Sequence, residues 1–164
     1  MSDDVFQGRR VVRSYRQSIE APPSVVFPLL CPVREVEWLD GFAFEMIYSA
    51  SGLIENGCVF KTSSPGEADT TWVVSRHEPA SRILQFTRVT PDSRTCVLDI
   101  AVQPDGVERS HVDIAYAYTS TSKAGDEFLN AWTEESFVSA MTFWERSMNH
   151  FLKTGQQLRR AGAG

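Results

Sequence analysis

Between Asp126 and Thr154 the chain carries neither proline nor glycine, and this stretch decides what the rest of the sequence must do. At 1.5 Å rise per residue it would form a helix about 43 Å long. Phe137, Met141, Trp144, Met148 and Phe151 recur at helical spacing and give it one apolar stripe. A helix with one apolar stripe has to bury that stripe against another layer. Asp126 and Glu127 near its start suit the positive end of the helix dipole, and Gly155 stands where a C-terminal cap belongs. Thr133-Glu134-Glu135 marks a candidate break or bend.

The preceding residues supply that layer. Arg9 to Glu20 is rich in Val, Tyr, Ile and Ser at period two and reads as a first strand. Pro22 and Pro23 stop it, because proline cannot donate to a ladder, and they suit the first turn of a short helix over Pro22 to Leu30. Pro32 opens a second short helix over Cys31 to Trp38, and Asp40-Gly41 turns the chain. Further strands are predicted over Phe44 to Ser49, Cys58 to Thr62, Thr70 to His77, Ile83 to Thr90, Thr95 to Val102 and Val107 to Thr119. Asn56-Gly57 and Pro104-Asp105-Gly106 are hairpin signals. In the last strand Val112, Ile114, Tyr116 and Tyr118 share one face, and His111, Asp113, Ala115 and Ala117 share the other.

The element order predicts an α+β fold: a curved antiparallel sheet of about seven strands wrapped around a long C-terminal helix, with two short helices after the first strand. With 164 residues and no linker, 1–164 reads as one domain, with an ordered core over about 9–155 and a flexible tail over 156–164, where Arg159 to Gly164 is Arg, Ala and Gly only.

At this point the chain resembles a known superfamily. Ser18-Ile19-Glu20-Ala21-Pro22-Pro23-Ser24-Val25-Val26-Phe27 is similar to the strand-to-helix entry of START-like helix-grip proteins (SRPBCC), among them the birch-pollen allergen, polyketide cyclases and lipid-transfer domains. Cys31 to Trp38 resembles the second helix of some bacterial members, and Phe143-Trp144-Glu145 through Thr154-Gly155 resembles the closing helix. The resemblance implies a hydrophobic ligand cavity between sheet and helix. It implies no shared catalytic residues, because one fold carries many functions here.

Charge and motifs narrow the field. A net charge of −5 argues against nucleic acid as a partner. The arginines at 9, 10, 13 and 16, with Lys153, Arg159 and Arg160, read as solvated termini and as cations at a helix end. Cys31, Cys58 and Cys96 are odd in number and widely spaced, which fits free buried thiols. The start Met-Ser-Asp-Asp lacks an apolar core, and no run is long enough to span a membrane, so a cytoplasmic protein is expected. His111 and Asp113 point the same way on one strand but lack a further ligand, so no metal site is predicted. His77 and His150 are assigned to solvent, and Glu35 and Glu37, which could guard a pocket mouth, fit a solvated helix face better. No nucleophile elbow or phosphate loop occurs, so catalytic residues are unassigned and no cofactor is predicted.

The aromatic residues are the more useful signal. Trp38, Phe44, Trp72, Phe86, Tyr116, Tyr118, Trp132 and Trp144, with Tyr15 and Met141, are predicted to line the cavity, as befits a pocket that orients a largely apolar guest. Tyr15, Arg16 and Arg76 are candidates for an inward polar group that pairs with a carboxylate or phenolate. The favoured reading is the binding or carrying of a small hydrophobic molecule (a lipid, polyketide or aromatic metabolite) by a monomer or homodimer. An aromatase/cyclase-like enzyme, using Tyr116, Tyr118 or an inward arginine, is the alternative. A co-chaperone-like interaction module is the third reading.

Overall fold

The computed structural model describes residues 5–160. Seven strands form one antiparallel sheet in the order β1-β7-β6-β5-β4-β3-β2. They are β1 (Arg10–Ile19), β2 (Glu45–Tyr48), β3 (Val59–Thr62), β4 (Thr70–Glu78), β5 (Ile83–Thr90), β6 (Arg94–Pro104) and β7 (Ser110–Ser120). After β1 come α1 (Pro23–Val26), which tightens into a 3-10 turn over Phe27–Leu30, and α2 (Pro32–Trp38). Both begin with proline in the first turn, where its missing N–H costs nothing.

Strand parity sorts the two faces. Cys96, Leu98, Ile100 and Val102 of β6 and Val112, Ile114 and Tyr118 of β7 are buried on the inner face. The alternate residues of β7, including His111, Asp113, Ala115 and Ala117, face outward, as their period-two pattern predicts. A register shift between Val74 and Arg76 sends Ser75 and Arg76 to the outer face and brings His77 inward, opposite Leu84.

The predicted single helix is two. Ser122 caps α3 (Lys123–Ala131), which ends at Trp132, and Thr133 caps α4 (Glu134–Thr154) by accepting the Ser136 N–H at 3.1 Å. Of the break and the bend that Thr133-Glu134-Glu135 allowed, the structure has the break, with Thr133 and the two acidic residues as a helix start. α3 approaches the sheet so closely that a Cβ on Gly125 would lie 1.9 Å from the Ser93 carbonyl oxygen. The Asn56-Gly57 turn does not close a two-residue hairpin. It ends a longer loop between β2 and β3, and the Asn56 side chain pairs with the Cys58-side neighbour strand instead, accepting the His77 N–H at 2.6 Å and donating to its carbonyl.

α4 docks along the edge strand β1. The Ser18 N–H donates to Glu145 at 2.6 Å, the Glu20 N–H donates to Asn149 at 2.9 Å, and the buried Gln17 amide donates to the Met141 carbonyl at 3.1 Å. The first two bonds occupy backbone N–H groups at the end of the edge strand, and the third joins a β1 side chain to the helix backbone. The described part of the C-terminal segment also makes contacts with the rest of the chain. Leu158 bridges Leu39, Gln157 donates to the Val36 carbonyl, and the Arg160 N–H donates to Asp40 at 3.0 Å. Residues 161–164 of that tail, and the acidic start at 1–4, lie outside the described residues.

The packing at Gly125 is testable. Gly125→Ala drives a methyl into the Ser93 carbonyl and should destabilise the protein by about 1–3 kcal/mol in urea unfolding. Gly57→Ala, at a glycine with open space around it, meets no such contact and carries only the strain of its positive φ.

Candidate functional site

Because α4 is fastened to the edge of the sheet, the middle of the inner face looks onto a cavity of about 730 Å³. Its sheet wall is Phe60, Trp72, Phe86, Leu98, Ile100 and Tyr116, and its helix wall includes Ala140, Met141, Phe143 and Trp144. Leu30, Glu35 and Leu39 close one side, while Phe42, Ser63, Ser64 and Arg160 stand at the rim. The volume is that of a pocket for a small organic molecule.

Five of the ten predicted lining residues are in this wall: Trp72, Phe86, Tyr116, Met141 and Trp144. The other five support it from behind or beside. Trp38 is fully buried, stacked on Trp144 at 6.0 Å, with its indole N–H donated to the Leu29 carbonyl. Phe44 packs edge-on against Phe60. Tyr118 and Trp132 meet at 4.6 Å between the sheet and α3. Tyr15 does point inward, but its hydroxyl reaches Thr142 and Glu145 of α4 rather than the cavity. Which of these rings the helices cover depends on where α3 and α4 dock.

Neither predicted arginine is inward. Arg16 pairs with Asp113 on the outer face at 2.7 Å, and Arg76 pairs with Glu78. The cation on the cavity's sheet wall is Arg88 of β5, in phase with Leu84 and Phe86. That phase is visible in the sequence. The Arg88 guanidinium lies over the Trp72 ring at 4.4 Å and beside Tyr116 and Tyr118 at 5.4 and 5.3 Å, and it donates to the Tyr118 hydroxyl. Aromatic faces attract a cation, and the attraction strengthens when water is excluded. No carboxylate lies within 4.0 Å of Arg88 among the described residues. Burial opposes its charge, while Tyr118, Cys96 and Tyr116 favour it, and the balance lies above the ordinary arginine value.

Glu35 is the second polar group of the wall. A solvated helix face was favoured for it over a pocket mouth; it lines the cavity, on the same side of α2 as Trp38 and Leu39 three and four residues on. Burial pushes its carboxyl up to about 8, with Arg88 pulling the other way. At neutral pH Glu35 is therefore mostly a neutral acid and Arg88 a cation. Burial also raises Tyr116, so its hydroxyl stays protonated.

The histidines lie elsewhere. His77 is half-buried and stacked on Phe27 at 5.6 Å rather than solvated, and burial lowers its pKa. His111 faces Asp105 and its strand-mate Asp113 faces Arg16, so the two do not work together. Among the described residues no group of three His, Cys, Asp or Glu could hold a metal, and all three cysteines are free and buried. The basic N-terminus is spent on local partners: Arg9 on Asn130, Arg10 on Thr119 and Arg13 on Glu134.

Solved structures share this architecture end to end. A point mutant of Thalictrum flavum norcoclaurine synthase, in complex with a transition-state analogue, superposes with a TM-score of 0.66 at 13% identity, over 92% of this chain and 98% of that one. The chain has the START-like helix-grip fold. Ara h 8.0201 matches at TM-score 0.63 and 10% identity over 89% of this chain and 99% of that one. The Zhui aromatase/cyclase of Streptomyces sp. R1128 matches at 0.59 and 14% over 93% and 100%. No protein-family model and no curated protein sequence matches the chain. At these identities the helix-grip likeness concerns fold alone. No helix among the described residues is long and apolar enough to cross a membrane.

The raised Glu35 pKa has a consequence for stability. Between about 4.5 and about 8 the folded state holds a proton that the unfolded chain releases, so this group's contribution falls as pH rises across that window. Its slope approaches about 1.4 kcal/mol per pH unit. Urea melts at pH 6 and pH 8 should show Glu35→Gln less sensitive to this rise than the parent protein.

Proposed function

We propose that the protein binds a small, largely apolar organic molecule between the sheet and α4. The observation that carries this reading is the 730 Å³ cavity, walled by aromatic and aliphatic side chains with Arg88, Glu35 and Tyr116 as convergent polar groups. A few polar groups in an apolar wall are what orient a guest within a pocket. One solved helix-grip structure, a norcoclaurine synthase, holds dopamine and hydroxybenzaldehyde, which fits a pocket of this shape taking aromatic guests. The outer sheet face favours this reading over an interaction module. Its centre is a polar ladder, with Ser75 bonded to Thr87 and Gln85, and Gln85 bonded to Asp99.

Native mass spectrometry of freshly purified protein tests the reading. The expected outcome is a retained organic mass, or saturable one-to-one uptake of added aromatic metabolites; a protein that neither retains nor accepts a guest sinks it. Ala140→Trp offers a control, because Ala140 is an exposed helix residue on the cavity wall. The added ring should weaken uptake while surface placement keeps the stability change within about 0.5 kcal/mol.

One observation favours a cyclase-type reading. A carboxyl that titrates near 8 can give a proton at neutral pH, and Glu35 shares its cavity with a guanidinium able to stabilise a developing oxyanion. Under this reading a poly-β-keto thioester is turned over, and Glu35→Gln and Arg88→Met each depress kcat about a hundredfold. Absence of turnover leaves the binding reading alone.

A further inference from the structure

The geometry points to an organic anion as the cavity's guest: an apolar, aromatic body whose single acidic headgroup sits on the Arg88 guanidinium. This inference rests on the binding reading and names the chemical class of that ligand. Arg88 is the cation on the cavity's sheet wall, and it lacks a carboxylate partner within 4.0 Å among the described residues. Of its five N–H donors, one bond goes to the Tyr118 hydroxyl, and Cys96 lies against it. The side chain is half-buried and lines the cavity, and Tyr118 and Cys96 are its hydrogen-bond partners among the described residues. A guanidinium presents a planar fork that matches a carboxylate or sulfonate through two parallel bonds. Trp72 and Tyr116 flank that fork and are placed to stack on the body of a planar guest.

The other groups facing the cavity do not cancel this charge near neutrality. From α2 comes Glu35, protonated below about 8. From β7 comes Tyr116, which burial keeps protonated, and Tyr118 and Cys96 beside Arg88 are raised in the same way. The wall from α4 contributes no titratable side chain, and the C-terminal segment adds a second cation, Arg160, at the rim. The cavity is therefore electropositive when Glu35 is neutral, and it loses one positive charge when Glu35 ionises.

Two fluorescent probes of similar body separate the headgroup from the cavity: 8-anilinonaphthalene-1-sulfonate, an anion, and N-phenyl-1-naphthylamine, its neutral counterpart. Both should bind the parent protein and displace one another. Arg88→Met should weaken the sulfonate about tenfold or more while leaving the neutral probe within about twofold. Equal weakening of both probes, or of neither, overturns the anion assignment and leaves the binding reading standing. Failure of both probes to bind overturns the two together. Should Arg88→Met not fold, the parent protein decides: sulfonate affinity falls as pH rises through about 8, the neutral probe's does not, and Glu35→Gln abolishes the fall. A flat sulfonate profile between pH 6 and pH 9.5, both values lying far from the sulfonate's own titration, overturns the assignment.

Discussion

The structure depends on how α4 is fastened. A helix of this length could lie flat on the middle of the sheet and fill it. Instead Glu145 and Asn149 accept the Ser18 and Glu20 backbone N–H groups, and Gln17 reaches the Met141 carbonyl. The first two satisfy backbone N–H groups at the end of an edge strand, which must find partners, and the third ties a β1 side chain to the helix backbone. They hold the helix at the rim of the sheet, and the bend of the strands then leaves room between the two. Edge protection and cavity formation are one arrangement seen from two sides.

Around that room the polar and aromatic residues are organised by burial. Phe60, Trp72 and Phe86 pack edge-to-face and stacked within 6.0 Å of one another and form a rigid wall. The same wall supplies the ring faces that make a buried guanidinium tolerable. Elsewhere the protein handles a shielded arginine differently: Arg94 is bonded to Glu67 at 2.8 Å and lies over Phe128. Arg94 carries its own counter-ion and Arg88 does not, and only Arg88 faces the cavity. Glu35, which could have served, is kept neutral by the desolvation that keeps Arg88 unpaired.

The break between α3 and α4 follows from capping. Trp132 leaves helical geometry, and Thr133 restarts the helix with a side-chain cap and two acidic residues in the first turn. The kink lets α3 lean on β7 near Ser93 while α4 crosses to β1, so Trp132 and Tyr118 seal one end of the core. A straight rod over the same residues could not serve both contacts.

Much of this was readable in the residues. The prolines at 22, 23 and 32 fixed where the short helices begin, and period two fixed the strands and which of their side chains turn inward, including Tyr116 and Tyr118. Arg88 and Glu35 were open to the same reasoning, Arg88 from its phase with Phe86 and Glu35 from its spacing to Trp38, although their charge argues for solvent. What linear order could not decide is which inward side chains end in space and which end against a helix. That choice is made by the docking of α3 and α4, through bonds between residues more than a hundred positions apart, such as Ser18 with Glu145. Local spacing dictates direction because backbone geometry is local; it carries no information on how far away the opposing layer stands.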